Sequence, residues 1–88
     1  MRIVPLQTVQ DAVAEVRELQ NALEGRGELA GALCLCKALT GFYATSSEAL
    51  IAMLEALGDE KAKKGYTQGE TRRAEWLVAE MRRLLNLG

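Results

Sequence analysis

Between Thr67 and Leu87 the apolar residues Ala74, Leu77, Val78, Met81, Leu84 and Leu85 recur at the three- and four-residue spacing of one helical face. At about 100° per residue these six fall within a sector of roughly 120°, a pattern that an alternating strand cannot produce. Thr67 stands three residues before Glu70, so a hydroxyl and a carboxylate are placed to close the first turn reciprocally. The same punctuation occurs twice more, with Thr8 before Asp11 and Thr45 before Glu48. Three such signals and the Gly25/Gly27 stop predict helices over about 8–24, 28–44, 46–64 and 68–87. In the third, Gly58 is passed over as a stop, because Lys61, Lys63 and Lys64 followed by Gly65 read as a basic last turn with a glycine cap. Residues 1–7 precede the first cap, and Pro5 favours an extended Val4, so they read as an arm.

The expected fold is therefore all-α: a single-domain four-helix bundle with a short extended N-terminal arm. Eighty-eight residues suit one domain, and four aromatic residues and one proline among them favour helix over sheet. The first helix carries a seam of Val9, Ala12, Val16, Leu19 and Leu23. The second differs in kind. Leu29, Leu33, Cys34, Leu35, Cys36, Leu39, Phe42 and Tyr43 point in nearly every direction, and Lys37 is the only charge from Leu29 to Ala44. A helix apolar all round is covered on several sides. Three other helices in so short a chain can hardly wrap it, so part of its surface is expected to meet a partner. Leu35, with Gly31, Ala38 and Phe42 on one flank, is the expected contact.

The search for chemistry is largely negative. The chain has no histidine, which removes the usual neutral-pH acid/base and the commonest zinc ligand. Cys34 and Cys36 stand two apart and diverge by about 200° on a helix, so they read as small core residues and no metal site is expected. Ser46 and Ser47 suit a helix cap and have no base to activate them. No catalytic residue and no cofactor is expected. The 16 residues from Leu29 to Ala44 fall short of the roughly 20 that span a bilayer. Two cysteines without a cationic, apolar leader point to a reducing cytoplasm.

Two surfaces look like more than fold. On the last helix Arg72, Trp76, Ala79, Arg83 and Leu87 form a row opposite the apolar stripe, with the only tryptophan in the middle. Tryptophan flanked by arginine is the composition of interface hot spots, and either a partner or the chain's own arm must cover it. The second surface is electrostatic. Residues 1–58 hold four basic and seven acidic groups, net −3, and residues 59–88 hold seven basic and five acidic, net +2. Lys61, Lys63, Lys64, Tyr66, Arg72 and Arg73 gather near the start of the last helix, where the dipole favours an anion. With a net charge of −1 overall, nucleic acid is not an expected partner. The expected function is a non-enzymatic helical protein–protein interaction module, an inhibitor, adaptor or assembly factor, which self-associates as a homo-oligomer. The alternative is a binder of a small anionic ligand such as a nucleotide.

Overall fold

A computed structural model describes residues 6–87, with the side chain of Leu87 outside the description. Among the described residues there are five helices and no strand: α1 (Val9–Gly25), α2 (Leu29–Thr40), α3 (Ser46–Leu57), α4 (Glu60–Lys63) and α5 (Gln68–Leu87). The expected arm is described only from Leu6 onward; residues 1–5 lie outside.

Two of the three expected reciprocal caps close fully, and at α3 only half of one does, since Glu48 Oε2 accepts from the Ala44 amide and not from that of Thr45. Thr8 Oγ1 accepts from the Asp11 amide at 3.2 Å, while Asp11 Oδ2 accepts from the Thr8 amide at 3.1 Å. Thr67 and Glu70 repeat that exchange at α5, at 3.2 and 2.8 Å. Thr45 caps α3 through the Glu48 amide. At the end of α1, Gly27 takes the left-handed φ of 84°, which a side chain would strain. That turn lets the Gly27 amide donate to Glu24 O and the Glu28 amide to Leu23 O, meeting two carbonyls the helix leaves open.

The helices depart from expectation in two places. The third expected helix is two, because Gly58 ends α3 and Asp59 starts again. The Gly58 amide donates to Leu54 O, and Asp59 Oδ1 accepts from the Ala62 amide at 3.0 Å, capping the single turn of α4. Among the described residues the fold is thus all-α as expected, with five helices, one of them a single turn, where four were expected. The second helix stops at Thr40, four residues short of the expected end. Thr40 Oγ1 donates back to Cys36 O, the Tyr43 phenol donates to Ala38 O at 2.8 Å, and Gly41 turns extended.

The core is built from one face of each long helix: Ala12, Val16, Leu19 and Leu23 from α1, Gly31, Ala32, Leu35 and Ala38 from α2, Leu50, Met53, Ala56 and Leu57 from α3, and Ala74, Leu77 and Met81 from α5. Helix α1 packs on α2, α3 and α5, while α2 packs on α1, α3 and α4. The molecule is 19 Å across its shortest axis, about two helix diameters. In two layers no helix is enclosed on all sides, so an all-apolar α2 has to leave one side uncovered.

Candidate interaction surface

The uncovered side of α2 follows from the helical repeat. Leu29, Leu33 and Lys37 are four apart and form one ridge along the outer surface, with Ala30 beside it. Leu29 is 65% and Leu33 56% exposed, although α1 and α3 flank the helix. Leu33 is the crest between two grooves. On the α1 side a groove of about 250 Å³ is lined by Gln20, Glu24, Leu29, Ala32, Leu33 and Cys36. On the α3 side a shallower one of about 590 Å³ runs along Ala30, Leu33, Cys34, Lys37, Ala38, Tyr43, Ala52, Glu55, Ala56 and Asp59. Phe42 stands fully exposed in the turn after α2, beside a third hollow lined by Val9, Tyr43 and Ala49. The two thiols take opposite flanks of the ridge. Cys34 Sγ lies 3.6 Å from Ala56 O, and burial, helped by Asp59, pushes its thiol above the ordinary value. Both cysteines are free.

Charge on this side is sparse, and Glu55 shares the α3 groove with Lys37. Lys37 lies at the C-terminal end of α2. Glu24 borders the α1 groove beside Leu29, and Asp59 borders the α3 groove beside Cys34, so both acids flank the N-terminal half. Lys37, Glu24 and Asp59 are all exposed, and none takes part in an ion pair among the described residues.

The residues singled out from sequence divide unevenly. Phe42 is on the surface as expected. Leu35 is fully buried in the core with Gly31 and Ala38, so the expected contact flank of α2 is its inner face. Gly31 fits that inner face: a Cβ there would stand 2.9 Å from Tyr66 Cε1 and 3.2 Å from Leu23 Cδ1. Leu29 and Leu33, on the opposite side, carry the exposure instead. An evenly apolar helix holds no periodic signal to mark which side that is.

The α5 row is covered in part: Arg72, Ala79 and Arg83 are exposed, while Trp76 is not. Trp76 is half-buried and packed against the core. Leu6 is buried beside the same face: its amide donates to Glu80 Oε1 at 2.9 Å, and Arg83 donates to its carbonyl oxygen. Arg83 and the Leu6 amide hold the Glu80 carboxylate below its ordinary pKa, in that order of strength. The end of the described arm therefore lies against Glu80 and Arg83, one and two turns beyond Trp76. Arg72 and Ala79 remain exposed, and the Leu87 side chain lies outside the described residues.

The basic corner is not assembled as one site. Arg73 turns to α1, where Glu15 and Glu18 accept from its guanidinium at 2.9 and 2.5 Å. Burial opposes the charge there, but the two carboxylates outweigh it and its pKa is raised. Lys63 pairs with Glu60 at 3.7 Å. The first turn of α5 is already occupied by the Glu70 carboxylate, which Arg26 holds bidentately and pulls below its ordinary pKa. Tyr66 is half-buried with its phenol oxygen enclosed, which pushes its pKa up to about 12. Lys61, Lys64 and Arg72 are left as solvated side chains. Of the six residues that sequence spacing groups, Lys63 and Arg73 pair with acids of their own chain and Tyr66 turns inward.

Among the described residues no cluster of three or more potential metal ligands occurs, and no helix is long and apolar enough to cross a membrane. No family model, no curated protein and no solved structure matches the chain.

Proposed function

We propose that the protein is a non-catalytic helical interaction module, working by occupancy as an inhibitor, adaptor or assembly factor, and that it self-associates through the outer side of α2. One observation carries this reading: the ridge Leu29–Leu33 is more than half exposed on a helix with a single charge. Burying a leucine fully is worth about 1.5–3 kcal/mol, so completing the burial of these two yields about 1–2 kcal/mol each. Association costs about 4–15 kcal/mol. Four leucines from two copies sit near the low end of that cost, and Phe42 adds a whole aromatic face, so association in the micromolar range or weaker is expected. The chain has no histidine, so the usual neutral-pH acid/base is missing from it. Two unpaired thiols support the reducing cytoplasm as its compartment.

The test is Leu33→Arg followed by sedimentation velocity from micromolar to hundreds of micromolar protein. The parent is expected to shift to a larger species with concentration. The variant is expected to stay monomeric with unchanged far-ultraviolet circular dichroism, because the side chain it replaces is at the surface. A parent that is monomeric throughout contradicts self-association.

A further inference from the structure

We infer that the α2 surface receives a second copy of this chain across a two-fold axis through Leu33, with the two α2 helices antiparallel, so that Lys37 of each copy meets the acidic end of the other. The inference rests on the proposed role of α2 and adds the occupant's orientation. Its first support is shape. Leu33 is a crest with a groove on each side. Leu33 is the midpoint of the ridge from Leu29 to Lys37, so a two-fold axis there sets Leu33 against Leu33 and each end of one ridge against the opposite end of the other. The neighbours Ala30, Ala32 and Cys36 are small enough for the two helices to approach closely.

The second support is charge. Lys37 lies eight residues beyond Leu29, about 12 Å along the helix axis. Its ammonium forms no ion pair within the chain among the described residues, although Glu55 and Asp59 line the same groove. Glu24 flanks the start of the ridge on the α1 side and Asp59 on the α3 side, with Glu55 between Asp59 and Lys37. None of the four is ion-paired within the chain among the described residues. Reversing one α2 against the other places Lys37 between Glu24 and Asp59 of the second copy, and the symmetry makes this contact twice. A parallel pairing instead sets Lys37 near Lys37 and acid near acid. Long-range attraction therefore selects the antiparallel encounter before the leucines touch.

Charge reversal tests the orientation. Lys37→Glu and Glu24→Lys are surface changes and leave the monomer fold intact, as circular dichroism checks. Each alone is expected to weaken self-association about tenfold by sedimentation equilibrium, since an attraction becomes a repulsion at two sites. The double variant Glu24→Lys/Lys37→Glu restores opposite signs and is expected to recover most of the loss. If the parent associates and Leu33→Arg abolishes it, but the single reversals have no effect or the double is weaker than either, the α2 surface stands and the antiparallel seating is wrong. A monomeric parent overturns both.

Discussion

Leu6→Ala probes the contact between the arm and α5. Leu6 is 3% exposed, so nearly its whole side chain is removed from water by the bundle. Alanine keeps the amide that donates to Glu80 and the carbonyl that accepts from Arg83, so the change isolates the apolar share. Buried leucine-to-alanine changes cost about 2–5 kcal/mol. A residue on a segment that can settle into the space left behind belongs near the lower end, about 2–3 kcal/mol. In a domain of this size each kcal/mol moves Tm by about 4–8 °C, so a fall of roughly 10–20 °C is expected. Thermal unfolding followed by circular dichroism reads the global loss. Trp76 reads the local one: it is the only tryptophan and lies one turn before Glu80 on the same face. Its emission is expected to move to longer wavelength while helicity below the transition is kept. If Tm falls by less than about 2 °C and the emission does not move, Leu6 does not cover α5, and the half-burial of Trp76 has another source.

Two further outcomes follow from single groups. Tyr66→Phe removes a phenol oxygen that is enclosed without a partner among the described residues, so stability should be unchanged or rise by up to about 1 kcal/mol; a loss of that size in urea unfolding would show that the hydroxyl is bonded. Glu70 and Glu80 titrate below their ordinary value in the folded chain, so the stability they contribute is present above about pH 4.3, the unfolded value, and lost as pH falls through the lower folded one. The urea midpoint should drop across that interval, and Arg26→Ala should flatten the drop; an unchanged slope in the variant would remove Glu70 from the account.

Elements with a local signal were legible in the sequence. The caps Thr8, Thr45 and Thr67 need only their own neighbours; the α1 seam buries Ala12, Val16, Leu19 and Leu23, and the α5 stripe buries Ala74, Leu77 and Met81. Val78, Leu84 and Leu85 at the edge of that stripe stay partly exposed and pack against the core. The break at Gly58 was missed because two signals competed within seven residues. Asp59, an acceptor for Ala62, outweighed the lysine cluster as a helix signal. For α2 the difficulty was absence of pattern: residues of one kind on every side leave orientation to packing. The pairing of Arg73 with Glu15 and Glu18 joins positions 58 and 55 residues apart, which no local window contains. The exposure of Leu33 was legible only as a surplus of apolar surface, not as a place.

The bonds from Leu6 to Glu80 and Arg83 span 74 and 77 residues. Closing a loop of that length in an unfolded chain costs about 4 kcal/mol or more of entropy, above the 2–3 kcal/mol that Leu6 returns. The arm can dock only after α1 and α5 are already side by side. During synthesis Leu6 is made before all five helices, yet its binding place is completed only when Arg83 has been added. It must wait, undocked, through nearly the whole translation of the described chain, and its arrival closes a bundle that has formed without it. Folding should therefore show a bundle-forming phase insensitive to Leu6, while unfolding, which begins from the closed state, is faster when Leu6 is shortened.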